Sequence, residues 1–356
     1  MSSDKDLITS AVRRLADSAE VMLDPPQSLR QLQGGRNSRV YMVVGSGGSK
    51  YVAKRYFRHK NDSRDRLATE FQSLRYMWRH GLTCIPRPLA ADAENNLAFY
   101  EYVPGTIPKS AEISLADIDL LIDFLYQLNQ MKDKQGSRNL MPASEACFSF
   151  EMALENLALR LKRLEAVEDQ GPQHLMMKQL LAQDIRPLLS DAKEWLKREL
   201  PSSGLALDVE IPWTERTLSP SDYGFHNALR QSNGGLVFLD FEYFGWDDPA
   251  KMILDFLLHP AVELSEALKR HFLQRMLELF DPTGGLAQRI GYFQVLFGLK
   301  WALILLNEFH TADFSRRRFA GERKTDRAEV LARQLEKVRG QLEWIRGVYG
   351  KTDPAF

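Results

Sequence analysis

Hydrophobic and polar positions change rhythm once along this chain, near residue 104. Before that point, short runs have the length and residue types of half-buried strands: RVYMVV at 39–44, KYVAKRYF at 50–57 and LAFYEYV at 97–103. The Gly/Ser turn GSGGS at 45–49 joins the first two and predicts a hairpin. Between the second and third runs, DRLATEFQSLRYMWRHG sets Leu67, Phe71, Leu74 and Met77 or Trp78 at helical spacing, and Gly81 ends the pattern. Residues 4–23 predict one amphipathic helix ahead of this strand, strand, helix, strand series.

After Gly105 the pattern is helical. Residues 115–131 predict a helix that packs Leu120, Leu121, Phe124, Leu125 and Leu128, and helices follow over 150–166, 173–199, 285–310 and 326–346. One segment breaks the series: LSPSDYGFHNALRQSNGGLVFLDFEYFGWDDP at 218–249, with short apolar runs around a Gly-Gly turn. The expected architecture is α+β, with a small sheet lobe over 1–104 and a larger, mainly helical lobe over 105–356. The total of 356 residues, more than one compact domain usually needs, agrees with two lobes.

Charge and composition narrow the function. Lys plus Arg and Asp plus Glu both number 47, so the net charge is zero and a dedicated nucleic-acid binder is disfavoured. Two cysteines, Cys84 and Cys147, form neither a metal-ligand spacing nor a disulfide framework, and read as free thiols in a reducing cytoplasm. The first residues lack the apolar stretch of a signal peptide. The apolar stretch 295–306 is broken by Gly298 and Lys300 and falls short of the roughly 20 residues that span a bilayer. A soluble, cytoplasmic protein without a membrane partner is expected. The seven histidines have no zinc-site spacing, and Ser38, Ser219 and Ser221 lack a hydrolase setting.

The chemistry concentrates in the 218–249 segment. Asp222 and Asn227 lie five positions apart, and Asp240 follows a short hairpin. That set suits phosphoryl transfer: one carboxylate orients the attacking hydroxyl, while an amide oxygen and a second carboxylate hold the magnesium that bridges nucleotide phosphates. In the first lobe, Gly34 and Gly35 form a turn feeding a strand, Lys54 sits in the next strand and Glu70 in the following helix. Glycines let backbone N–H groups approach phosphate oxygens, and a lysine held by a glutamate can neutralise them. Singly, these residues are better described as a hairpin turn, an edge lysine and a solvated glutamate; together, in this order and ahead of the Asp/Asn/Asp set, they make the kinase reading the stronger one.

GGRNSRVY, VAK, TEFQSL, FYEYVPG, SDYGFHN, LDFE and WDDPAKMILDF, in this order, resemble the aminoglycoside-phosphotransferase-like family, which includes choline-kinase-like enzymes. The similarity runs over 32–256 and is thin between 131 and 217. It implies a bilobal protein-kinase-like fold and a cytoplasmic ATP- and Mg2+-dependent kinase. The small-molecule partner would offer a hydroxyl group on a sugar, amino sugar or amino alcohol. By the same resemblance Gly34, Gly35, Asn37 and Ser38 belong to the nucleotide loop, Lys54 and Glu70 to the phosphate site, and backbone groups of Glu101 and Val103 to the adenine hinge. Asp222 is the implied catalytic carboxylate, Asn227 and Asp240 the metal ligands, and Asp255 a structural support.

The chain departs from the family where His-Gly is usual before the catalytic Asp: Pro220 and Ser221 stand there. Gly224 replaces a frequent histidine, and His226 lies four positions after Asp222, either compensating by hydrogen bonding or serving as an ordinary structural histidine. Two rival functions follow from the same residues: a catalytically silent nucleotide sensor or scaffold, and a protein Ser/Thr kinase. The short span between LDFE and WDDP, with no activation segment, counts against the latter. Trp246 is either a wall of the acceptor site or a packed aromatic, and the basic run 315–324 either meets an anionic group or is a solvated linker.

Overall fold

The computed structural model describes all residues except 1, 24–28, 33–37, 59–63, 262, 282–283 and 311–326. Its described residues begin with helix α1 (Ser2–Ser18) and a five-stranded antiparallel sheet, built from β1 (Arg30–Gln31), β2 (Ser38–Val44), β3 (Lys50–Tyr56), β4 (Pro88–Asp92) and β5 (Leu97–Glu101), with order β1-β2-β3-β5-β4. Helix α2 (Arg66–Arg79) lies between β3 and β4. The predicted hairpin forms, with Val40 opposite Lys54 and Val44 opposite Lys50. Strands β1 and β4 escaped the sequence pattern. PLAAD has little intrinsic strand preference, and pairing with β5 recruits it to the sheet edge, where Pro88 at its start costs no central ladder bond.

The period-2 alternation divides the sheet into two faces. Val43, Ala53, Leu97 and Phe99 pack under Ile8, Val12 and Leu15 of α1, forming a small core of their own. Their neighbours Lys54, Tyr56 and Tyr100 point the other way, where Tyr56 and Tyr100 join the large core shared with α2 and the helical lobe. Helix α1 therefore seals one face and leaves the other for chemistry.

The helical lobe contains α3 (Leu115–Met131), α4 (Phe150–Glu165), α5 (Pro172–Leu180), α6 (Arg186–Glu199), α7 (Pro249–Leu257), α8 (Glu266–Phe280), α9 (Gly285–Leu305) and α10 (Arg327–Val348). Ser114 caps α3 by a reciprocal exchange with Asp117, and Ile118, Leu121, Leu125 and Leu128 face inward as their spacing predicts. Leu120, expected inside, is exposed, because it falls on the outer side of that stripe. The predicted 173–199 helix is interrupted by a π turn at Leu181–Ile185, one extra residue per turn that rotates the apolar stripe between α5 and α6.

Helix α9, with its continuation to Phe309, is long and apolar enough to cross a bilayer, a length the 295–306 stretch did not reveal. It is instead a core helix, 78% of its most apolar window being buried against its neighbours. Gly291 on α9 admits the C-terminal segment: a Cβ there would sit 1.7 Å from the Thr352 carbonyl oxygen. Gln294 holds the same segment by donating to the carbonyls of Lys351 and Asp353.

Two small ribbons interrupt the helices between α6 and α7. Strands β6 (Thr217–Ser219) and β9 (Gly245–Asp247) pair with each other, and β7 (Ala228–Arg230) pairs with β8 (Leu236–Phe238). Trp246 is buried in this layer and donates its indole N–H to the Ser137 carbonyl, so it packs rather than lining an acceptor site. The lobes join through 102–106, where Thr106 and Arg230 exchange backbone hydrogen bonds of 3.1 and 2.8 Å. Gly105 permits that approach, since a Cβ there would meet the Arg230 carbonyl oxygen at 2.8 Å.

Candidate active site

The sheet lobe contributes a buried cation between two carboxylates. Lys54, midway along β3, reaches Glu70 Oε2 at 2.6 Å and Asp240 Oδ1 at 2.7 Å. Glu70 is placed by α2, whose first turn is closed by Asp65 accepting from the Ala68 N–H. Leu67, Glu70, Leu74 and Met77 share its buried face. The Tyr56 hydroxyl donates to Glu70 at 2.8 Å and lies 2.6 Å from the Tyr100 hydroxyl. Burial alone would depress the Lys54 ammonium, but the charges of Asp240 and Glu70 outweigh it and hold its pKa well above the ordinary lysine value. Burial pushes the Glu70 carboxyl up, against the pull of Lys54 and Tyr56.

The helical lobe contributes a loop and a hairpin. Asn227 ends the loop, donates its side-chain N–H to the Asp222 carbonyl at 3.0 Å, and precedes β7. The β7–β8 register pairs Ala228 with Phe238, and Leu239 N–H donates to the Asn227 carbonyl at 2.8 Å, so Asp240 emerges beside the loop. Glu242, two residues on, is buried against Arg66 of α2 at 3.3 Å. Burial first, and then the charge of Asp240, raise the Glu242 carboxyl to about 7. Carboxylate oxygens of Glu70, Asp240 and Glu242 all lie within 4.8 Å of one another. Asp222 sits on the loop's other side with His226 Nε2 3.1 Å from its Oδ1 and His259 Nε2 3.3 Å from the same atom. Burial favours its neutral form, yet contacts with the two imidazoles outweigh it and hold the carboxyl far below the usual range.

A sequence model of the phosphotransferase enzyme family matches residues 28–279. The chain belongs to that family. No curated protein sequence matches it. Among solved structures, the choline kinase LicA from Streptococcus pneumoniae is similar with a TM-score of 0.58 at 15% identity, over 94% of this chain and 98% of that one. Amicoumacin kinase, solved with AMP-PNP, Ca2+ and Ami, gives 0.58 at 16% identity over 96% of each chain. An ethanolamine kinase from Plasmodium vivax gives 0.57 at 15% over 90% of this chain and 83% of that one. At such identities the likeness speaks for the fold, the bilobal protein-kinase-like arrangement of sheet lobe and helical lobe.

In this phosphotransferase the implied site residues fall as follows. Lys54, Glu70 and Asp240 form one ion cluster across the lobes, and Asn227 and Asp222 belong to the adjoining loop. Gly34, Gly35 and Asn37 lie outside the described residues, as does the basic run 315–324. Ser38 is buried as the first residue of β2, opposite Tyr56. At the hinge the Glu101 N–H is spent on the Arg87 carbonyl at 3.0 Å, so only its carbonyl could meet a base; among the described residues the Val103 N–H has no backbone partner.

A second ion cluster lies beneath the loop and was not foreseen as a unit. Lys251, fully buried on α7, contacts Asp247 at 2.6 Å, Asp255 at 3.0 Å and the Ser221 hydroxyl at 3.4 Å. Lys300 of α9 binds the other Asp255 oxygen at 2.6 Å. The readable signal was the i, i+4, i+8 spacing of Asp247, Lys251 and Asp255 inside an otherwise apolar run. His259, just after α7, left no comparable trace.

Proposed function

We propose that this phosphotransferase transfers the γ-phosphoryl group of ATP to a hydroxyl of a small molecule, a sugar, amino sugar or amino alcohol. The observation that carries the reading is the bridge from Lys54 to both Glu70 and Asp240. It puts a fixed positive charge at the lobe junction, beside the loop that carries Asp222 and Asn227. The donor chemistry fits a nucleotide-bound magnesium ion: a carboxylate on Asp240 and an amide oxygen on Asn227 are hard oxygen ligands, and the nitrogen donors stay with Asp222. Asn227 and Asp240 would hold that ion, which supplies charge neutralisation on the phosphates. Lys54, kept charged by its two partners, would bind phosphate oxygens, and the Glu101 carbonyl and Val103 N–H would receive adenine.

Asp222 would orient the acceptor hydroxyl and take its proton late. A carboxylate of so low a pKa is a weak base, which matches a loose transition state that asks for positioning more than for proton abstraction. The intact Lys54–Glu70–Asp240 cluster favours turnover over the silent sensor.

The test is ATP consumption against a panel of sugars, amino alcohols and aminoglycosides, with Asp222→Asn as control. The asparagine variant should bind ATP as the parent does and lose roughly 10²–10⁴-fold in turnover. Equal turnover would remove Asp222 from its role; nucleotide binding with no acceptor phosphorylated by the parent would make the protein a sensor.

A further inference from the structure

His259 is placed against Asp222 by contacts with His226, Trp301 and the Ala261 N–H. Its face stacks on His226, with centroids 4.2 Å apart and planes at 12°, and the Trp301 ring meets it in a T-shaped contact at 4.5 Å and 71°. The Ala261 backbone N–H lies 3.1 Å from His259 Nδ1 and donates to it. An accepting Nδ1 carries a lone pair, so the ring proton sits on Nε2. That nitrogen lies 3.3 Å from Asp222 Oδ1, the oxygen also met by His226 at 3.1 Å. Two imidazoles and a carboxylate so close resemble a transition-metal site, but a metal lies in the plane of each imidazole that binds it. Planes stacked 4.2 Å apart and almost parallel cannot both contain one metal or one oxygen, and Oδ1 takes its directed hydrogen bond from His226 while His259 Nε2 approaches beside that bond.

We propose that His259 is a positioning residue for Asp222, its tautomer set by the Ala261 N–H so that its Nε2–H edge sits 3.3 Å from Oδ1 and leaves Oδ2 for the acceptor hydroxyl. The assignment rests on the kinase reading for its purpose, though not for the contact itself. It also gives this chain a substitute for the loop support that Pro220 and Ser221 cannot supply: the upstream histidine is missing, and an imidazole arrives from beyond α7 instead.

The contact is tested by NMR of the full chain with 15N-labelled histidine. The His259 ring should show the Nε2–H tautomer, and Asp222→Ala should speed exchange of that proton with water. An Nδ1–H tautomer, or no response to Asp222→Ala, would overturn the assignment. Purpose is tested with any acceptor the panel yields. His259→Leu should lower kcat about 10- to 100-fold with the KM for ATP unchanged, and His259→Gln, which keeps an N–H donor, should recover most of the loss. Unchanged kcat, or a loss that glutamine does not rescue while both variants melt like the parent, would refute it. So would stoichiometric Zn2+ binding abolished by His259→Gln. A parent that phosphorylates no acceptor refutes the kinase reading, and the NMR arm still decides whether His259 holds Asp222.

Discussion

Replacing Lys251 with Met, close in length and uncharged, strips from Asp247 its only cation among the described residues, while Asp255 keeps Lys300. Asp247 is wholly buried, and burial already pushes its carboxyl to about 6 with Lys251 beside it. Without the lysine it stays protonated at neutral pH. An ordinary aspartate in the unfolded chain titrates near 3.9, so holding the proton at pH 8 costs at most about 5.6 kcal/mol, and at pH 6 about 2.9 kcal/mol. Breaking a buried pair usually costs about 3–5 kcal/mol, inside the pH 8 ceiling. The folded variant then binds a proton the unfolded chain does not, so its stability falls as pH rises. The parent's Asp247 is ionised above about 6 and adds no such slope. The gap between the two should therefore widen by about 2–3 kcal/mol from pH 6 to pH 8. For a chain of 356 residues unfolding as one unit, about 4 kcal/mol lowers Tm by about 5 °C. Thermal melts followed by tryptophan fluorescence at the two pH values read this directly, and Lys251→Met/Asp247→Asn should recover most of the loss. A gap independent of pH, or a double variant no better than the single, would refute the reasoning.

Asp240→Ala should weaken binding of the magnesium-nucleotide complex itself, seen as a rise in Kd by titration calorimetry, whereas Asp222→Asn leaves it unchanged. Gly291→Ala should displace the C-terminal segment, because its new Cβ would meet the rigid Thr352 backbone, and limited proteolysis should then cut within 349–356 sooner than in the parent.

Elements whose signal is local were legible from sequence. The Leu115–Met131 helix matches its predicted span because a serine cap and a four-residue apolar stripe mark both its limits and its face. Lys54, Glu70 and Asp240 meet although Asp240 lies 186 positions from Lys54, since Lys54 and Glu70 sit on a strand and a helix that the pattern dictated and Asp240 follows the predicted short hairpin by two residues. What stayed hidden depends on tertiary pairing alone. Strand β4 exists because β5 offers it an edge, and the π turn at Leu181–Ile185 answers packing across two helices. His259 had no spacing relation to Asp222, and its role comes from where α7 ends.

The Pro220–Ser221 departure is the strongest case for a silent scaffold, and the energetics of the loop weigh against it. Ser221 and Asp240 both hold φ of 67°, a left-handed conformation that costs a non-glycine residue about 1–3 kcal/mol. Ser221 is kept there by its N–H on Ser219 Oγ, its hydroxyl on the Ser144 carbonyl, and Lys251. Asp240 is kept there by Lys54. Burying Lys251 with two carboxylates gains a protein little over an apolar core of the same shape, since desolvation consumes most of the attraction. A fold that needed only stability would do better with leucine at that position. The strain and the buried charges instead converge on Asp240 and on the neighbour of Asp222, and the proposed phosphoryl transfer would need the carboxylates of those two aspartates in fixed positions. That is the pattern of a working site with a different support rather than one that has lost its support.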